Sequence, residues 1–188
     1  MTTSGYPKMY AAVQSLPSQA ARCAVDLSEA DKIELSAAET VVACAMGGSA
    51  FPMEVVKTAF TVPIEIHRDY GDTLELSRAG ALYLLMSFSG NTEEVLDCAA
   101  RLQQSGARMV VITNGGKLAA FAAEHGVARL RFPTLAADFQ PRCATGYFLG
   151  LVLGLFDAIG LTQGARTSLL TASVQLGEAI ERVQEEAA

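Results

Sequence analysis

Apolar residues along this chain fall into short unbroken runs, separated by longer stretches where they recur every three or four positions. Thr40–Met46 (TVVACAM), Ala81–Phe88 (ALYLLMSF) and Arg108–Thr113 (RMVVIT) are runs of strand length, and Val127–Phe132 is a last short one. Pro63–His67 (PIEIH) alternates instead and reads as a short strand. Between these runs the spacing is helical. Ala50–Phe60 places Val55, Val56 and Ala59 on one face. Asn91–Gln104 carries an inward stripe of Val95, Ala99 and Leu102, with Asn91 and Glu94 spaced as a capping box and Gly106 where a left-handed C-cap belongs. Lys117–Glu124 follows the Asn114-Gly115-Gly116 turn as another helix.

The ends of the chain are helical in pattern. Tyr6–Asp26 predicts a helical region broken near Pro17. Arg166–Glu186 repeats Leu169, Ser173, Leu176, Ile180 and Val183 as one apolar seam. Ala144–Leu161 carries a single charge, Asp157, and has Gly146, Gly150 and Gly154 at four-residue spacing. Its length and glycine spacing suit a membrane helix. A helix buried between layers, with a glycine face open to close approach, fits the alternating elements before it better.

Apolar strands alternating with helices imply a parallel sheet covered on both faces. With right-handed crossovers, the fold class is α/β: a doubly wound, flavodoxin-like, mostly parallel five-stranded sheet. The pattern contains no internal repeat or linker. It predicts one domain over 1–188, with an N-terminal helical segment about 6–26, a core about 40–162 and a C-terminal helix about 166–186.

Composition narrows the function. The 188 residues are 51% hydrophobic and 18% charged, which suits a folded core and excludes a disordered chain. A net charge of -6 argues against nucleic acid as a partner. Cys23, Cys44, Cys98 and Cys143 form no CxxC pair, and His67 and His125 stand alone, so no metal site is predicted. The cysteines read as buried reduced thiols, consistent with a cytoplasmic location. Met1–Lys8 has no apolar core of a signal peptide.

Three strands run into small or hydroxylic turns: Gly47-Gly48-Ser49, Ser87 to Thr92, and Thr113 to Gly116. Ligands of doubly wound sheets bind beyond these carboxyl ends. The second turn offers Ser87, Ser89 and Thr92 at the start of a helix whose first N–H groups lack partners. Its dipole favours negative charge, so hydroxyls, N–H groups and Gly90 together suit a phosphate monoester without a lysine. The plain alternative is a serine-rich helix cap. In the first turn Gly48 permits a tight bend, and Ser49 is directed to the same space as Ser89. That turn lacks the spacing of a dinucleotide or P-loop site, and no cofactor is predicted. The third turn reads as structural.

Four motifs, in order over about residues 45–147, resemble those of the bifunctional phosphoglucose/phosphomannose isomerases, which are built from sugar isomerase (SIS) domains. Ala45-Met46-Gly47-Gly48-Ser49-Ala50 resembles their GMGGSA, with alanine for the first glycine. Ser87-Phe88-Ser89-Gly90-Asn91-Thr92-Glu93-Glu94 is similar to their SYSGNTEE, with phenylalanine for tyrosine. Ile112–Leu118 resembles ITxGGxL, and Gln140–Tyr147 resembles QPRxAxGY.

The resemblance implies that Gly48, Ser49, Ser87, Ser89 and Thr92 hold a sugar phosphate. It places Arg142 near the sugar's C1 and C2 oxygens, where a guanidinium stabilises an enediolate. A surface ion pair is the alternative for Arg142. Family members carry two such domains, the second supplying the glutamate base and the ring-opening histidine, so a second SIS domain or a homodimer partner is implied. Glu54, Glu93, Glu94, His67 and His125 read here as solvated or structural groups. The glycine-faced helix and the terminal seam are the surfaces on which such a partner is expected to dock. An isomerase half, a single-domain hexulose-phosphate or sedoheptulose-phosphate isomerase, and a non-catalytic phosphosugar sensor all remain open.

Overall fold

The computed structural model describes residues 7–23, 38–76, 78–136 and 139–186. Five parallel strands form one sheet in the order β2-β1-β3-β4-β5: β1 Thr40–Ala45, β2 Ile64–His67, β3 Ala81–Met86, β4 Met109–Ile112 and β5 Ala128–Leu130. This is the flavodoxin-like order, and it places the switch between β1 and β3, where ligands of such sheets bind.

The apolar runs are unbroken because both faces are covered. Alternate residues on each strand face opposite sides. Val41, Ala43, Ala45, Leu82, Leu84, Met86, Val110 and Ile112 pack with α3 (Gly47–Ala59) and α6 (Thr145–Ala158). Val42, Cys44, Tyr83, Leu85, Met109 and Val111 pack with α4 (Glu93–Ser105) and α5 (Gly116–Glu124). A fully buried Leu, Met or Phe contributes about 1.5–3 kcal/mol over an exposed one, so each layer is held mainly by this burial.

Most strands are one or two residues shorter than their apolar runs, which continue into the site loops. The α4 stripe lies inward as expected, and Gly106 ends the helix in the left-handed region at φ 68°. The capping box does not form: Thr92 is the N-cap, and Asn91 turns away to a neighbouring turn. In α3 the inward face is Ala50, Met53 and Val56, while Val55 is half-buried and Ala59 exposed. The helix begins at Gly47, earlier than its apolar spacing suggests.

The N-terminal region breaks at Ser15 into α1 (Pro7–Gln14) and α2 (Leu16–Gln19), with Pro17 in the first turn of α2. Residues 6 and 24–26 of the anticipated helix lie outside the described residues. The α2 segment occupies the glycine face of α6. A Cβ on Gly146 would stand 2.8 Å from both the Gln19 Cβ and the Leu16 carbonyl oxygen, and one on Gly150 would stand 3.0 Å from the Ala20 carbonyl oxygen. That face is therefore taken within the chain and is not open to a docking partner. Among the described residues, no helix is long and apolar enough to cross a membrane.

The last helix, α7 (Ala165–Glu186), lies against the layer only in part. Leu169 packs on the core, whereas Leu176 is 42% and Val183 65% exposed. The anticipated seam is thus split between an inner and an outer side.

Candidate functional site

Three turns meet at the carboxyl ends of β1, β3 and β4. After β1, Met46 is extended and Gly47 turns at φ 49°, so Gly48 and Ser49 enter the first turn of α3. Ser49 Oγ accepts a hydrogen bond from the Phe88 N–H at 3.3 Å, which joins the first turn to the second.

The second turn follows β3. Ser87 is buried, and its Oγ accepts from the Gly90 N–H at 3.1 Å and lies 2.7 Å from Thr92 Oγ1. Ser89 is exposed, and its Oγ accepts from the Asn91 N–H at 3.2 Å. These bonds fix the oxygens and leave hydrogens over. Ser49 and Ser89 each keep an O–H to donate, and the Ser87–Thr92 pair uses one of its two hydrogens internally. Three hydroxyl donors therefore remain beside the start of α4, whose N-cap Thr92 makes no side-chain capping bond. An anion is the ligand this arrangement suits.

The third turn begins another helix but is closed. The Asn114 N–H donates to the Phe88 carbonyl at 3.1 Å, the Leu118 N–H to the Gly90 carbonyl at 2.9 Å, and the Lys117 N–H to Asn91 Oδ1 at 3.1 Å. The second turn thus fills the N-terminus of α5. Two glycines permit the contact. Gly90 and Gly116 sit at φ 68° and 70°, and a Cβ on either would overlap a carbonyl oxygen of the other turn, that of Gly115 or Ser89. The structural role read for the third turn holds, but the reason is wider than chain reversal: the turn braces the second one.

Arg142 arrives from elsewhere in the chain. It lies in a 3-10 turn, Pro141–Cys143, that precedes α6. A Cβ on Gly48 would stand 3.6 Å from the Arg142 Cα, so this turn rests directly on the first one. The Arg142 side chain is exposed and forms no ion pair with any described residue. The turn is held by Gln19, which is buried: its Nε2 donates to the Cys143 carbonyl at 2.8 Å, and its Oε1 accepts from the Gly146 N–H at 3.0 Å. The sequence carries no signal for Gln19, because its partners lie 124 and 127 residues away.

The other acid–base candidates take varied positions. Glu54 pairs with Arg68 at 2.6 Å on an exposed surface. His67 ends β2, with Nε2 2.9 Å from the Tyr70 carbonyl, an arrangement that places the ring N–H on Nε2. His125 follows α5 at the opposite end of the sheet and stacks on Phe121. Glu93 and Glu94 open α4, where the dipole favours carboxylates.

Among the described residues the cysteines form no disulfide. Cys23, Cys44 and Cys98 are buried and Cys143 half-buried, a departure from the buried environment read for all four. Burial pushes the Cys23 thiol up to about 12 despite Arg166 and Arg22 nearby. A hydrogen bond to Cys98 and burial raise the Cys44 thiol further. These two are not nucleophiles at neutral pH.

No family model matches the chain. A bifunctional phosphoglucose/phosphomannose isomerase of Caldicellulosiruptor bescii is 30% identical over 161 residues, which cover 82% of this chain and 46% of that enzyme. The chain thus spans about half the length of this relative. Two solved structures share the fold. The Vibrio vulnificus NanR protein complexed with ManNAc-6P has a TM-score of 0.61 at 17% identity, covering 90% of this chain and 67% of that one. The sugar isomerase domain of an RpiR transcription factor from Sphaerobacter thermophilus has a TM-score of 0.57 at 16% identity, covering 89% of this chain and 96% of that one. The chain has the fold of the sugar isomerase (SIS) domains among these structures, and in sequence it is similar to about half of a bifunctional phosphoglucose/phosphomannose isomerase.

Proposed function

We propose that this domain binds the substrate of an aldose–ketose isomerase that interconverts glucose 6-phosphate or mannose 6-phosphate with fructose 6-phosphate through an enediolate. The observation that carries this reading is the exposed Arg142, without an ion-pair partner among the described residues, resting on the glycine turn beside a helix start rich in hydroxyl donors. Ser49, Ser87, Ser89 and Thr92 take the phosphate, with Gly48 giving room for the approach. Arg142 then lies toward the sugar carbons, where its charge stabilises the oxygen that becomes negative as a proton moves between C2 and C1.

The proton itself needs a base within hydrogen-bond reach of C2. Glu54 is engaged by Arg68, and His125 lies at the far end of the sheet. On this reading Glu93 and Glu94 serve the start of α4, and the base and the ring-opening acid come from a partner, either a second SIS domain or a second copy. Positioned acid–base groups contribute about 10²–10⁴-fold each, so the isolated 188-residue chain binds sugar phosphate but turns it over weakly.

A coupled assay with mannose 6-phosphate and fructose 6-phosphate, run beside calorimetry, tests this. Binding with little turnover is the expected result. Full turnover would point to a base donated between identical subunits, as in a single-domain hexulose-phosphate or sedoheptulose-phosphate isomerase.

The second reading is a phosphosugar sensor. It is favoured by the fold shared with the sugar isomerase domain of a transcription factor. Under it, Arg142→Ala leaves sugar-phosphate affinity unchanged.

A further inference from the structure

We propose that Gln19 is the positioning residue of Arg142 and sets the preference of the site for a sugar phosphate over bare phosphate. The proposal rests on the reading of Arg142 given above. The buried polar side chains of the described residues are Gln19, Ser87 and Thr113. Ser87 and Thr113 lie in the second and third turns. Gln19 lies on α2, in a part of the chain that contributes no residue to the phosphate turns.

Its amide is nearly saturated. Besides the Cys143 and Gly146 bonds, Nε2 donates to Ser15 Oγ at 3.1 Å, so three of the four bonds a primary amide can make are formed. Two of these grip the arginine turn from its C-terminal side, one at the carbonyl next to Arg142 and one at the first turn of α6. The other side of the turn leans on Gly48.

The Arg142 guanidinium has no ion-pair partner among the described residues, so within these residues it is the backbone that aims it. The backbone is fixed by Gly48 on one side and by Gln19 on the other. Contacts to phosphate come from α4 and the first two turns, none of which Gln19 touches. Loss of the amide bonds therefore weakens the interaction at the sugar end and spares the phosphate end.

The test is calorimetry with fructose 6-phosphate and with inorganic phosphate on the full chain, Arg142→Ala, Gln19→Met and the double variant. Arg142→Ala is expected to lower sugar-phosphate affinity about tenfold, the lower end of what one bond to a charged group yields, with phosphate affinity within twofold. Gln19→Met is expected to lose several-fold toward the sugar phosphate with phosphate unchanged, and the double variant to be no weaker than Arg142→Ala. A thermal melt shows whether Gln19→Met folds. If it does not, Gln19→Glu at pH 8 takes its place, since it keeps an acceptor for the Gly146 N–H while setting a carboxylate against the Cys143 carbonyl.

A wild-type ratio of the two affinities in the Gln19 variant, or additive losses in the double variant, overturns the assignment. Failure of both Gln19 variants to fold also overturns it, by making Gln19 a core residue and no more. An unshifted ratio in Arg142→Ala sinks the reading of the arginine itself. A shifted ratio there with an unshifted one in the Gln19 variant sinks only the role of Gln19.

Discussion

Helices α4, α5 and α7 all begin at small or polar residues, yet only α4 is left open. The start of α5 is filled by the second turn, through the Gly90 carbonyl and Asn91 Oδ1. The start of α7 is filled by a carboxylate: Asp157 of α6 accepts from the Ala165 and Arg166 N–H groups at 3.0 Å each and from the Thr162 hydroxyl at 2.7 Å. The α7 cap is a protein-borne version of what the proposed function asks a phosphate to do at α4. The contrast teaches that glycine and serine content does not make a ligand site. A site exists where the chain supplies hydroxyls and N–H groups and then leaves their hydrogens unclaimed.

The largest effect expected from breaking this contrast is at the glycines that hold the closed turn against the open one. Gly90→Ala or Gly116→Ala combines a left-handed backbone with overlap on a carbonyl oxygen, and should destabilise the fold by about 3 kcal/mol or more. Gly106→Ala has the same sign of φ but nothing within 4 Å, and should lose only about 1 kcal/mol. Urea titration of the three variants measures both. Equal losses would show that backbone strain alone sets the cost and that the brace contributes little.

The next effect is on binding. Ser89→Ala removes a hydroxyl donor from the open start, and should weaken phosphosugar affinity by about 1.5–3 kcal/mol, or roughly tenfold to a hundredfold, while the melting temperature holds. Calorimetry with unchanged affinity would mean that α4 is not the phosphate helix. Asn91→Ala should do the reverse: it removes the cap of α5, lowers stability by about 1 kcal/mol and perturbs binding less.

The α7 cap sharpens the contrast by pH. Desolvation pushes the Asp157 carboxyl up, but bonds from the Arg166 N–H, the Thr162 hydroxyl and the Ala165 N–H outweigh it and hold the acid below its ordinary range. A depressed folded value stabilises the protein above the unfolded value of about 3.9, and that contribution is lost as pH falls through the folded value. Asp157→Asn should therefore flatten the acid limb of the stability curve below about pH 4. The same acid slope in the variant would assign it to other carboxylates. The smallest effect is chemical: a thiol reagent on the native chain should label half-buried Cys143 ahead of the three buried thiols, as read by peptide mass mapping.

What the sequence showed well is what depends on neighbours in the chain. Five strands, the Gly106 cap and the three turns at strand ends follow from runs and spacings of a few residues. What it concealed depends on distance. Asn91 has the spacing of an α4 cap, but Lys117, 26 residues on, takes its side chain. The inward face of α3 is set by its packing on the sheet and α6, which local hydrophobicity does not record. The glycines of α6 announced a close approach without saying that α2 makes it. Ser89 and Ser87 look equivalent in the motif, yet one is exposed and the other buried beneath the turn.

The span between Gln19 and its partners also orders events in time. The strands β1, β3 and β4 and the three turns at their ends involve residues 40–118, and their contacts close short loops. The arginine turn is complete only when residues 143–146 meet a segment from the start of the chain, across more than 120 positions. Loops of that length close late, since each added stretch lowers the chance of encounter. During synthesis the proposed phosphate site can form while the first residues still await α6, so under that reading anion binding should precede sugar discrimination as the chain folds. Pulse-labelled hydrogen exchange should accordingly protect the amides of β3 before those of Gly146, and the opposite order would place the N-terminal clamp at the start of folding.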